Sequence, residues 1–250
     1  MERGLVSVIM PTFNCAGFIA ETIESVQAQT YRHWEMIIVD DCSSDDTKEI
    51  VRRYMENDTR IHYCCLGKNS GAAAARTMAM KLAEGEYMAF LDSDDLWMER
   101  KLEKQIGFMR RHNLAISCTS YGQIDEEGET VGKTIRALPR AGYNRILLDC
   151  PVGNSTVVYN VGKMGKFQVP DIRKRNDDAL WLKMLKKEKY IYGMKDVLMK
   201  YRIRQNSISS NKFALIKYHW ILYRRIEHLG VIRSLFHIGY WCMIKVLKIK

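Results

Sequence analysis

The chain predicts an α/β fold: a mostly parallel sheet flanked by helices, followed by a C-terminal helical basic tail. Three observations carry this. Apolar runs of strand length alternate with helix-length stretches through residues 1–120. Runs such as Met36-Ile37-Ile38-Val39 are apolar at every position, as strands covered on both faces must be. Polar clusters follow the strands, at Pro11-Thr12-Phe13-Asn14, Asp40-Asp41-Cys42-Ser43-Ser44 and Asp92-Ser93-Asp94-Asp95. Open α/β sheets bind ligands at such strand ends.

In chain order, residues 5–10 read as a strand, 18–29 as a helix, 35–40 as a strand and 45–56 as a helix. Strand 61–66, helix 71–83, strand 87–91, helix 98–112 and strand 114–119 follow. Ser43, Ser44 and Asp45 supply N-cap chemistry for the second helix, which leaves Asp40 and Asp41 free to accept from a ligand. Gly71 permits close backbone approach ahead of a helix whose N-terminus favours an anion. The alanine run after it also suits tight helix–sheet packing. Beyond residue 120 the pattern is mixed, with a hairpin tip at 125–129, a short strand at 156–159 and a helix at 179–187. No Pro- or Ser-rich linker interrupts it, so residues 1–212 read as one domain with halves of about 1–120 and 121–212.

Seven cysteines form no CxxC pair, and six histidines form no HxH or HExxH pattern. Free thiols in a reducing compartment are therefore expected, and neither a zinc site nor a disulfide framework. Residues 1–10 show no export-leader pattern, which points to a cytoplasmic chain. The net charge of +10 lies entirely in residues 200–250, where eleven Lys and Arg face Glu227 alone. From Phe213 onward, Tyr218, Trp220, Tyr223, Phe236, Tyr240 and Trp241 are interleaved with basic residues. The longest uncharged run there, 234–244, is eleven residues, against about 20 for a spanning helix. Residues 213–250 thus read as an amphipathic helical tail that associates with a membrane surface. A helical cap on the domain and a dimer contact are the plainer readings. No nucleic-acid motif accompanies the charge, so no nucleic-acid partner is expected.

Asp92, Asp94 and Asp95 end an apolar strand abruptly. Clustered carboxylates repel one another unless a hard cation sits among them, and Mg2+ or Mn2+ prefers such oxygens together with phosphate. An acidic turn capping the next helix is the plainer alternative. A second carboxylate centre lies in Arg175-Asn176-Asp177-Asp178-Ala179-Leu180-Trp181-Leu182, and a polar loop in Tyr201-Arg202-Ile203-Arg204-Gln205-Asn206-Ser207.

Taken in order, these motifs resemble those of the family 2 inverting glycosyltransferases, which have the GT-A (Rossmann-like) fold, over about residues 5–211. The resemblance implies a donor site at Pro11, Thr12, Asp40 and Asp41, with an aspartate on the nucleotide base. Asn69-Ser70-Gly71-Ala72-Ala73-Ala74-Ala75-Arg76 matches N-x-G-x-x-x-A-R, placing Asn69, Gly71 and Arg76 near the nucleotide. Asp92-Ser93-Asp94 stands at the D-x-D metal motif, so Asp94 and Asp92 are expected to hold Mn2+ or Mg2+. Asp177 aligns with the general base of E-D-x-x-L-W-L, with Asn176 in place of the glutamate and Asp178 as the competing candidate. Arg204 and Ser207 lie in a Y-R-x-[HR]-x-N-S-x-S segment similar to that of capsule and wall-polysaccharide members, and are expected to close over the diphosphate. The implied donor is a nucleoside-diphosphate sugar, a UDP-sugar foremost, and the acceptor a lipid-linked glycan. The enzyme would then sit peripherally at the inner face of the cell membrane. A catalytically silent membrane-bound scaffold that keeps the fold is the alternative.

Overall fold

A computed structural model of the chain describes residues 1–204 and 212–247. Among them nine strands form one sheet: β1 (Glu2–Thr12), β2 (Trp34–Asp40), β3 (Ile61–Cys65), β4 (Gly85–Phe90), β5 (Leu96–Trp97), β6 (Ile116–Ile124), β7 (Arg140–Ala141), β8 (Val158–Asn160) and β9 (Ile191–Arg202). Their order is β3-β2-β1-β4-β8-β6-β9-β5, with β7 beside β9. β1 pairs in parallel with β2 and β4, and β2 with β3. Helices α1 (Ile19–Gln27), α2 (Thr47–Asn57) and α3 (Ala72–Leu82) make the crossovers that parallel neighbours require. The second half is mixed: β8 is antiparallel to β4 and β6, while β9 is parallel to β6 and antiparallel to β5 and β7.

Strand periodicity divides the core between two faces. Val6, Val8, Met10, Met36 and Ile38 pack with Ile19, Ile23 and Val51, and with Leu102 and Ile106 of α4 (Lys101–Arg111). Ile9, Ile37, Val39 and Phe90 pack with Ala75 and Ala79 of α3, and with Leu180 and Trp181 of α7 (Asn176–Met184), which follows the short α6 (Val161–Met164). The alanine run therefore does bring α3 close to the sheet.

Several boundaries depart from the sequence expectation. Leu96 and Trp97 join the sheet against β9, so α4 begins at Lys101 rather than residue 98. α7 begins at Asn176, which puts Asp177 and Asp178 in its first turn. β9 had no sequence signal, because its register against β6 shifts twice and breaks the inside–outside alternation. The turn at 125–129 does form, closed by Asp125 N donating to Glu129 O at 3.0 Å.

The tail is helical, as expected, in α8 (Lys212–Ile221), a π-helical turn (Leu222–Ile226) and α9 (Val231–Leu247). It packs on the domain near α7 and α5 (Tyr143–Leu148). Tyr223 Oη donates to Leu147 O at 3.0 Å, and Lys186 pairs with Glu227 at 2.8 Å. Tyr223 and Trp241, read from the sequence as membrane-interface aromatics, are instead buried in this contact. Large rings beside an open apolar face bury more area by docking there than by standing in solvent. Among the described residues no helix is long and apolar enough to cross a membrane.

Candidate active site

The loop after β4 is organised around the aspartate that faces inward. Asp95 is buried, accepts from Ser155 Oγ at 2.5 Å and from Arg202 N at 3.0 Å, and burial lifts its carboxyl well above the usual range. Arg202, also buried, donates to Asp94 O at 3.0 Å, to the carbonyls of Asp125 and Glu126 at 3.2 and 2.9 Å, and to Glu21 at 2.6 Å. Ser155 Oγ in turn accepts from Asp92 N at 3.0 Å. This frame leaves Asp92 and Asp94 half-buried at the mouth. The Ser93 carbonyl ties the loop to α1, accepting from Thr22 Oγ1 at 3.0 Å and from Cys15 Sγ at 3.2 Å.

Asp92 Oδ1 accepts from Arg76 at 2.9 Å and from Asn154 Nδ2 at 2.8 Å. Asp94 Oδ2 accepts from Arg204 at 3.2 Å, and that guanidinium lies 4.8 Å above the Phe18 ring. Burial raises the Asp92 carboxyl to about 6 against the pull of Arg76, and the charges of Asp94 and Asp177 add to the rise. Asp94 and Asp177 thus act on Asp92 from two different elements. Among the described residues no donor reaches the second oxygens, Asp92 Oδ2 and Asp94 Oδ1. Hard carboxylate oxygens of this kind suit Mn2+ or Mg2+, which keeps water and takes substrate phosphate to complete its shell. Among the described residues there is no group of three His, Cys, Asp or Glu side chains that could hold a metal ion.

Arg76 also donates to Asn176 Oδ1 in a short hydrogen bond, so one buried guanidinium joins α3, the Asp92 loop and the first turn of α7. Asn176, where the resemblance implies a glutamate, thus supplies an acceptor for this arginine. Arg175 enters α7 at φ +65 and pairs with Asp178 at 3.0 Å, and its other terminal nitrogen lies 2.7 Å from His219 Nε2. Asp178 is buried, and burial raises its carboxyl to about 6 despite Arg175. Asp177 is half-exposed, and among the described residues no donor reaches its carboxylate. The two competing aspartates are therefore in different states: Asp178 is engaged and Asp177 is open.

The expectation that Asp40 and Asp41 stand free is corrected. Asp40 is buried, with Oδ1 accepting from Ser43 N and Oγ at 2.8 and 2.7 Å and Oδ2 from Tyr63 Oη at 2.7 Å. Asp41 accepts from Ser70 N at 2.6 Å and from Gly71 N at 2.7 Å, so it occupies the anion position before α3. Gly71 holds φ +90, a conformation that strains any L side chain. A buried carboxylate must be satisfied, and local amides reach these two first. Asn69 Nδ2 donates to Asp41 O at 3.1 Å, and Asp41 N to Thr12 O at 2.9 Å. Pro11 and Thr12 are buried beneath this loop, and Thr12 Oγ1 has no partner among the described residues. Ser207 lies outside the described residues.

Sequence reasoning missed Asn154, Ser155 and Arg202. The polar cluster Gly153-Asn154-Ser155-Thr156 before apolar Val157-Val158 was the available signal, of the same kind as the strand-end clusters. Arg202 shares a motif with Arg204 and was passed over for it.

Residues 7–171 match the family model described as Glycosyl transferase family 2. TuaG of Bacillus subtilis (strain 168), whose name assigns it provisionally as a teichuronic acid biosynthesis glycosyltransferase, is 44% identical over 98% of this chain and 96% of its own. The UDP-Glc:alpha-D-GlcNAc-diphosphoundecaprenol beta-1,3-glucosyltransferase WfgD of Escherichia coli is 39% identical over 88% of this chain and 85% of its own. Among solved structures, S. aureus TarS 1-349 in complex with UDP-GlcNAc superposes with a TM-score of 0.72 at 23% identity, over 87% of this chain. The chain spans 65% of that TarS fragment. A mannosyltransferase from Pyrobaculum calidifontis, in complex with GDP-Man and Mn2+, gives 0.65 at 18% identity, over 90% of this chain and 64% of its own. The fold is that of the GT-A glycosyltransferases. The chain belongs to glycosyl transferase family 2.

Proposed function

We propose that this glycosyltransferase moves a sugar from a UDP-sugar to a hydroxyl of a lipid-linked surface glycan, inverting the anomeric centre. The observation that carries the chemistry is the open carboxylate of Asp177, set close enough to Asp92 to raise it while its neighbour Asp178 is held by Arg175. Asp177 accepts the proton of the acceptor hydroxyl as that oxygen attacks the anomeric carbon opposite the leaving diphosphate, and back-side attack inverts the centre. Asp94 and Asp92 are the residues to hold Mn2+ or Mg2+, whose contribution there is to neutralise charge on the departing diphosphate. Arg76 fixes the Asp92 carboxylate in place, and Arg204, which donates to Asp94, is the residue to bind a diphosphate oxygen. Pro11, Thr12, Asn69, Gly71 and the Asp40–Asp41 turn line the nucleotide side, the two aspartates by holding the loop.

Two comparisons support the substrate class. WfgD is named for UDP-Glc and a diphosphoundecaprenol acceptor, and TarS was crystallised with UDP-GlcNAc. An acceptor of that kind supports a peripheral position at the cytoplasmic face of the membrane, with attachment through residues 213–250. The test is to incubate the purified protein with a panel of UDP-sugars, Mn2+ and a diphosphate-lipid acceptor, and to read the product linkage by NMR. Transfer with inverted configuration is expected. No transfer from any nucleoside-diphosphate sugar, or a retained configuration, overturns the proposal.

A further inference from the structure

Helix α9 carries two apolar faces. Ser234, His237, Trp241 and Ile244 lie against the domain, with Trp241 only 4% exposed. On the opposite side Ile232, Leu235, Phe236 and Met243 stand in solvent, Ile232 at 86% and Phe236 at 63%. At about 100° per residue these four positions fall within an arc of roughly 100°. Arg233 and Lys245 are the only charged residues of the helix, and neither position falls in that arc. A helix apolar all round belongs in a core, and this one is half covered. A contiguous exposed apolar face of this kind marks a docking surface.

Charge decides the occupant. Residues 200–250 carry a net charge of +10, and Arg233 of α9, Arg225 of the π-helical turn and Lys217 of α8, two elements that contact α9, are exposed. Glu227, the one acid of the segment, is taken by Lys186 and by Tyr143. A second copy seated on this face would bring two such basic segments together. An anionic lipid surface accepts both the apolar stripe and the basic rim.

We propose that α9 lies flat in an anionic lipid surface, with Ile232, Leu235, Phe236 and Met243 among the acyl chains and Arg225 and Arg233 at the headgroups. This deepens the membrane attachment proposed above and rests on it. The covered face of the helix leads to the catalytic centre: the Trp241 and His219 rings lie 4.6 Å apart, and His219 Nε2 lies 2.7 Å from Arg175. Arg175 precedes the turn that carries Asp177. A helix anchored on one face and packed on the other holds the base-bearing end of the site near the lipid surface.

The test uses the full chain and vesicles of phosphatidylglycerol or phosphatidylcholine. The wild type is expected to sediment with the anionic vesicles, and the Ile232→Ser/Leu235→Ser/Phe236→Ser variant to lose that partitioning by roughly 100-fold or more. Because these side chains are exposed, its melting temperature and its thermal shift with UDP-sugar and Mn2+ should match the wild type. As a second probe, Phe236→Trp in vesicles with brominated acyl chains should show quenched emission. A triple variant that sediments like the wild type, or an unquenched Phe236→Trp protein, overturns the proposal. So does a wild-type dimer that the triple variant splits while vesicle binding is unaffected, since a second copy then covers the face. If the wild type binds no nucleotide sugar yet the triple variant loses the vesicles, the functional reading fails and the docking surface stands.

Discussion

Asp177 and Asp178 are adjacent and chemically identical, and only their partners separate them. Asp178 is fastened to Arg175 at 3.0 Å in a buried setting, whereas Asp177 faces the mouth with no donor among the described residues. Asp177→Asn should therefore lower kcat by roughly 100-fold or more and leave the donor KM nearly unchanged, as measured by steady-state UDP release. A crippled Asp178→Asn beside an active Asp177→Asn would show the roles reversed. Asp178 should instead appear in the pH dependence of stability. Its carboxyl titrates near 6 when folded, against 3.8 for the ordinary group, so the folded state binds the proton more tightly. That contribution is fully present below about pH 4 and lost as pH rises through about 6. Urea unfolding from pH 4 to 7 should show wild-type stability falling relative to Asp178→Asn across this window; parallel curves would contradict the assignment. At the other end of the site, Asp94→Ala should abolish the Mn2+-dependent part of UDP-sugar binding in a calorimetric titration, because the diphosphate loses its counter-charge holder. Treatment of the wild type with a chelator should reproduce that loss.

α3, the loop after β4 and α7 meet through one side chain, Arg76. Arg76→Ala strips the counter-charge from Asp92, which already feels Asp94 and Asp177, and leaves Asn176 without its donor. Because Asp92 is half-exposed, the loss of stability should be about 2 kcal/mol rather than the full cost of a deeply buried pair. Denaturant unfolding reads that loss, and kcat/KM should fall at the same time because the Asp92 and Asp177 elements are no longer held together. Arg76 itself was legible from the sequence, since it follows a Gly-Ala helix start in a fixed motif. The parallel half was legible for a related reason: β1, β2 and β4 are largely buried on both faces, so their residues read as near-continuous apolar runs. β9 was not, because two register shifts scatter its buried apolar residues as Ile191, Met194, Leu198 and Met199. The states of Asp40 and Asp41 were also hidden. Their type and spacing suit a ligand, but the amides of Ser43, Ser70 and Gly71 reach them first, and that depends on how the loops fold back.

Across the whole molecule, the tail shows what composition can and cannot say. A basic, aromatic, helical segment was evident, but α9 has two apolar stripes and periodicity does not tell which one meets the domain. The buried stripe carries Trp241, and the exposed one carries Phe236, so the aromatic anchors inferred from composition were partly misassigned. This changes what deletion should do. The named metal and base carboxylates all precede residue 212, which from sequence alone suggests that a chain cut after Lys212 keeps its chemistry. The structure argues otherwise, since the cut removes Leu215, Leu222, Tyr223, Leu229, Trp241 and Ile244 from the core, together with the Tyr223–Leu147 and Glu227–Lys186 contacts. Side chains of this size contribute about 1.5–3 kcal/mol each on burial. The total rivals the whole stability of an ordinary domain, about 5–15 kcal/mol. The truncated chain should thus show no cooperative melt by circular dichroism, or one lowered by more than about 10 °C. The cut also takes His219 and Trp241 away from Arg175, so donor binding should weaken even in any fraction that folds. A truncated protein that melts with the wild type and binds UDP-sugar normally would show that the tail is an appendage, and that the packing of Tyr223 and Trp241 adds nothing to the fold.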